Sequence, residues 1–117
     1  MSEPGFDILP RRPGFHMTFE NGYCVSVQFG AHNYCEKRDS PDEHWPPPEG
    51  AVWASADAEV AIFYPREEEG RRRFVKLENH DDVTGWKSPT EVLRIMTWAA
   101  NQGAPPTLKE VSDAETG

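Results

Sequence analysis

Cysteine is scarce in this chain, basic residues are outnumbered, and no apolar run approaches the length of a bilayer crossing. Each shortage excludes something. Two cysteines, Cys24 and Cys35, are too few for a scaffold stapled by several disulfides. The opening MSEPGFDILPRRPG has no apolar centre of the length a secretory signal needs, so a cytoplasmic protein with reduced thiols is expected. No stretch offers the ~20 apolar residues of a membrane helix, so no membrane partner is expected. Twelve Lys and Arg face 20 Asp and Glu, a formal net charge of −8. Phosphate backbones repel such a chain, which argues against nucleic acid as a default partner. The same charge draws the chain to basic protein surfaces, with salt dependence, and equally serves plain solubility. Phosphate-cradling motifs are missing too: there is neither a Walker-type loop nor a G-x-G-x-x-G after a strand. Hydrophobic residues reach only 37%, beside 11 prolines and nine glycines, so the 117 residues make one domain with one core and substantial loops.

What is present begins with MTFENGYCVSVQFG, residues 17–30. Phe15, Met17 and Phe19 share one face of a first strand; Tyr23, Val25, Val27 and Phe29 share one face of a second. A two-residue Asn21-Gly22 turn would set Phe19 against Cys24 and mix the faces. A three-residue loop, Glu20-Asn21-Gly22, sets Phe19 against Tyr23, Met17 against Val25 and Phe15 against Val27. The second register is predicted, with Gly22 in the left-handed region. Two further strands are predicted at AEVAIFY (58–64) and RRRFVKL (71–77), joined by the polar loop PREEEG, while ENHDDVTG reads as connecting turn chemistry. A helix follows. Ser88 is its N-cap, Pro89 its first residue and Glu91 the partner in a capping box; Val92, Ile95, Met96 and Ala99 form its apolar stripe, and Gly103 stops it. Trp98 lies off that stripe.

The expected architecture is therefore α+β: a four-stranded antiparallel sheet of two hairpins with one C-terminal helix packed on one face. A small open barrel is the alternative. Residues 1–13 read as an N-terminal arm whose Phe6, Ile8 and Leu9 dock on the domain, residues 14–103 as the single domain, and residues 104–117 as a flexible acidic tail. The stretch 30–50 is a long polar loop, a length associated either with function or with disorder.

Chemistry-bearing sets are few. His32, Cys35 and His44 are the nearest approach to a ligand cluster but lack the paired spacings of zinc sites, so no metal and no cofactor is assigned. Cys35 with His32 or His44 lacks the marks of a cysteine nucleophile. Glu67-Glu68-Glu69 and Asp81-Asp82 read as solvated charge and turn chemistry. Arg71, Arg72 and Arg73 form the one basic cluster, able to grip an anion or simply to balance the neighbouring glutamates. Tyr34, Trp45, Trp53 and Trp86 lie in or beside loops and are the candidate partner-binding residues, with core packing as the competing role.

FENGYCVSVQFGAHNYCEKR (19–38) and DDVTGWKSPTEVLRIMTWAA (81–100) together resemble a family of small proteins encoded by tailed bacteriophages and prophages. Its pattern is an NGY-SVQ-G-NYC stretch, a strand pair and a closing GW-SP-EV helix. The resemblance carries no catalytic residues. It implies expression in the bacterial host cytoplasm and stoichiometric binding to a host protein, at times a component of a defence system. The leading expectation is thus a non-enzymatic accessory protein that binds and modulates a host protein. A protein that sequesters a small ligand, such as a nucleotide immune signal, in a pocket of aromatics and Arg71 to Arg73 at a homo-oligomer interface is the alternative, and a metal-dependent enzyme the second alternative.

Overall fold

The structure, a computed structural model, describes residues 3–9, 11–66 and 72–103. Five strands, β1 (Gly5–Ile8), β2 (Gly14–Thr18), β3 (Cys24–Gln28), β4 (Ala58–Phe63) and β5 (Val83–Lys87), form one antiparallel sheet in chain order, followed by the helix α1 (Pro89–Ala100). The α+β class and the single covering helix stand.

The opening hairpin has the three-residue loop. Phe15 pairs with Val27 and Met17 with Val25. Gly22 N–H donates to the Phe19 carbonyl and Phe19 N–H to the Tyr23 carbonyl, both at 2.9 Å. Gly22 holds φ +90°, with Pro65 Cβ 3.0 Å from where its own Cβ would stand. The loop also reaches across the fold. Asn21 Nδ2 donates to the carbonyls of Ala99 (2.8 Å) and Gln102 (2.9 Å), capping the last turn of α1.

Val25, Val27, Val60 and Ile62 are buried between sheet and helix, with Ala99 and Val75, and Phe15, Val92, Ile95 and Met96 close the sides. The helix start is as predicted. Glu91 N–H donates to Ser88 Oγ (3.2 Å), and Ser88 N–H donates to Glu91 Oε1 (2.9 Å). Trp98 stays 45% exposed, edge-on to Tyr23.

Two strand assignments are corrected. The sheet has five strands instead of four, because residues 5–8 of the arm pair with β2 at its outer edge. The alternation Phe6-Asp7-Ile8 suits a pleated edge, yet Phe6 and Ile8 remain 74% and 86% exposed, since α1 packs over β3, β4 and β5. Of Phe6, Ile8 and Leu9, only Leu9 tucks in, beside Gly14. The predicted strand 71–77 is not a regular strand. Over its described part it touches β4 through a bridge at Phe74, with Tyr64 N–H donating to Arg73 O and Val75 N–H to Ile62 O. A 3₁₀ turn at Glu78–His80 follows, and the supposed connection then supplies β5 along the rest of that edge. The polar turn is shorter than the predicted connection: it ends at Asp82, and VTGWK is strand.

Candidate functional site

The turn chemistry of residues 30–38 builds the centre of the site. Gly30 N–H donates to Asn33 Oδ1 (3.0 Å), Cys35 Sγ to the Gly30 carbonyl (3.5 Å), and Asn33, Cys35 and Arg38 close successive backbone turns. The first part of the long loop is therefore a hydrogen-bonded knot with Asn33 and Cys35 buried. Glu36 and Asp57 tie it to the approach to β4: Glu36 N–H donates to Asp57 Oδ1 and Ala56 N–H to Glu36 Oε2, each at 2.6 Å.

This knot pins Tyr34 between two strands. Tyr34 N–H donates to Glu59 Oε2 on β4 (2.8 Å), and its carbonyl accepts from Trp86 N–H on β5 (2.7 Å). The register explains the second bond. Ala58 pairs with Lys87 and Val60 with Thr84, so β5 carries one extra residue opposite Glu59. Such a bulge re-aims a side chain. Gly85 is required there, because a Cβ would collide with Tyr34 Cβ and lie 2.8 Å from its carbonyl oxygen. Trp86 adopts φ +50°, a left-handed conformation costly for a bulky residue. Its ring is thrown outward, 56% exposed, and lies 5.7 Å from that of Tyr34 at an interplanar angle of 30°. The Arg38 guanidinium sits 4.7 Å from the Tyr34 ring centroid. Arg38, Tyr34 and Trp86 thus form a short cation–aromatic series.

A cleft of about 420 Å³ opens beside Trp86, lined by Tyr34, Glu78, Asp81, Asp82 and Gly85. Asp82 pairs with Lys76, and Glu78 with Lys87 at 2.8 Å. Asp81 has no ion pair among the described residues. The chemistry here is an aromatic surface beside carboxylates, which favours a cationic guest.

On the reverse face of the sheet lies a second cavity of about 350 Å³, sharing Tyr34 and Val83 with the first. Its floor is Ser26 and Ala61, a cross-strand pair. Gln28 and Glu59, likewise paired, stand at one end; Phe63 and Phe74, with ring centroids 4.7 Å apart, stand at the other. Asn33 Nδ2 (3.0 Å) and Arg12 Nη1 (3.3 Å) donate to Gln28 Oε1, and Gln28 Nε2 donates to Ser26 Oγ (3.0 Å). His16 lies on this face next to Phe63. Burial lowers its pKa below the usual imidazole value, Arg72 lowers it further, and Asp7 opposes both.

The four aromatic candidates separate into two pairs. Tyr34 and Trp86 meet at the bulge. Trp45 and Trp53 meet each other edge-on at 5.6 Å, with the Trp53 indole N–H donating to the Phe29 carbonyl (2.9 Å), and they plug the loop. The arginine cluster does not converge. Arg72 reaches the reverse face, donating to Cys24 Sγ (3.2 Å) over the Phe63 ring, whereas Arg73 lies over Tyr64, on the helix side. Arg71 and the Glu67 to Glu69 run lie outside the described residues, as does the expected tail at 104–117. Cys24 faces away from the helix as predicted and is nonetheless buried; both cysteines are free. His32 turns to Asp42 (2.8 Å), away from the Cys35 thiol's partner Gly30. Among the described residues no three His, Cys, Asp or Glu side chains assemble as a metal-binding group, and no helix is long and apolar enough to cross a membrane.

Gln28, Asn33, Glu59 and Gly85 were missed as site residues. Gln28 and Glu59 looked like solvent-facing strand polars, and only the bulge reveals why Gly85 precedes Trp86. No protein-family model, no curated protein and no solved structure matches the chain, so the chemistry of the site rests on its own geometry.

Proposed function

We infer that this chain is a phage-encoded, non-enzymatic accessory protein that binds a host protein through a basic surface and modulates it, in a counter-defence setting. One observation carries the reading: Trp86, held outward in a strained conformation and packed against Tyr34 beside Glu78, Asp81 and Asp82. A left-handed tryptophan costs on the order of 1–3 kcal/mol and gains little burial in return. A partner's Arg or Lys seated on the free side of the indole returns ~2 kcal/mol once desolvated. The net charge of −8 accelerates encounter with such a partner. The phage setting rests on the sequence resemblance.

The test is affinity capture from bacterial host lysate with the wild type, Trp86→Ala and Asp81→Asn. The wild type recovers a defined protein at low ionic strength and loses it near ~1 M salt, where the Debye length is about 3 Å. Both variants recover less. Equal recovery by Trp86→Ala, or no recovery by the wild type at low salt, defeats the reading.

A further inference from the structure

The reverse-face cavity shares Tyr34 and Val83 with the cleft beside Trp86, but its polar groups Gln28 and Glu59 take no part in the contact described above, and they are arranged in a recognisable order. We propose that it binds the guanine base of a free nucleotide.

The first argument is the shape. Ser26 and Ala61 are small residues at the middle of the sheet, flanked by the large side chains of Phe63 and Phe74. Small central residues with a tall rim leave a hollow, and about 350 Å³ accepts a planar bicyclic base with space for its attachment. The phenyl rings give that base an aromatic wall.

The second argument is donor–acceptor order. The Gln28 amide is oriented by its neighbours: Oε1 already accepts from Asn33 and Arg12, and Nε2 donates one hydrogen to Ser26 Oγ. Its second Nε2 hydrogen remains a donor. Glu59 lies directly across the strand pair. Its Oε2 accepts from Tyr34 N–H, while its Oε1 takes only a long 3.5 Å bond from Asn33. A carboxylate has about four acceptor positions, so two are open to a ligand. One donor beside an acceptor pair is the complement of the guanine edge, where O6 accepts and N1–H and the N2 amine donate. Adenine, turned over, offers the carboxylate only its N6 amine on that edge and leaves the second acceptor of Glu59 without a donor. With its Watson–Crick edge on Gln28 and Glu59, the base turns its sugar and phosphate away from this end, and Arg12 serves to hold Gln28 Oε1. A free nucleotide is favoured over an RNA strand because a chain of charge −8 repels a polyanion.

Calorimetric titration and thermal melting of the full chain with GMP, IMP, AMP, guanosine and inorganic phosphate test the assignment. GMP gives a saturable heat and raises Tm progressively with its concentration, since a ligand that binds only the folded state stabilises it by mass action. IMP, lacking the N2 amine, and AMP, with one donor on that edge in place of two, each bind about tenfold more weakly. Phe74→Ala, at a half-exposed position, lowers GMP affinity by about tenfold or more while retaining a cooperative melt. Arg12→Ala, which loosens the hold on the Gln28 amide, lowers GMP and guanosine affinity alike. The proposal is overturned if GMP gives no saturable heat at millimolar concentration, if AMP equals GMP, if phosphate alone gives the same shift, or if folded Phe74→Ala binds GMP unchanged.

Discussion

Asn21 and Gly22 act in different ways although they share one turn. Gly22 satisfies the backbone, with φ +90° and Pro65 at 3.0 Å from a Cβ position. Gly22→Val should cost about 2 kcal/mol or more in denaturant unfolding, because a β-branched residue is strained in the left-handed region. Asn21 satisfies other residues' carbonyls, so Asn21→Ala should cost about 1 kcal/mol and fray the end of α1, visible as faster amide exchange there. The glycine was legible in the sequence because turn geometry is local. The helix-capping role of Asn21 was not, because it depends on a contact 78 residues away. His16 adds a pH response. Burial and Arg72 favour its neutral form in the fold, so its contribution is present above the ordinary imidazole pKa of ~6.5 and is lost as pH falls through the lowered value. His16→Gln should flatten that part of the stability curve.

The helix and the bulged strand show the two extremes of what a sequence discloses about an element. For α1 the cap, the proline at the first position and the apolar stripe all agreed, and the capping box formed as read. Ser88→Ala should cost about 1 kcal/mol by thermal or urea unfolding. Hydrogen bonding from Ser88, first from its backbone and then from its hydroxyl, lowers the Glu91 pKa, with Lys87 and Arg94 assisting. The carboxylate therefore supports the fold above the ordinary glutamate pKa of ~4.3, and that support fades as pH drops through the lowered value. Glu91→Gln should remove this acid-range dependence. Strand β5 was hidden because DDVTG carries turn-forming residues into a strand, and a bulge breaks the period-2 pattern by which strands are recognised. The arginine-rich segment failed in the opposite sense. Its alternation is strand-like, but most of the edge it needed is occupied by β5.

At the scale of the whole molecule, the site is assembled from four distant pieces: β3, the 30–38 knot, the start of β4, and the bulge of β5. Sequence reasoning found Tyr34 and Trp86 singly and grouped them with Trp45 and Trp53, because aromatic identity is visible along a chain whereas proximity is not. Trp86→Ala should separate binding from stability: recovery of the partner falls, while the unfolding free energy stays within about 1.5 kcal/mol of wild type, since the exposed ring gives up one aromatic pair and little burial. The bridge from Asn21 to Ala99 and Gln102 has a further consequence, for the order of events during synthesis. The first hairpin leaves the ribosome early, but its loop finds its last partners only after residue 102 has cleared the exit tunnel. Until then the apolar side of the sheet has no cover, and a released chain ending at residue 90 should be digested by protease far faster than one extended past residue 103.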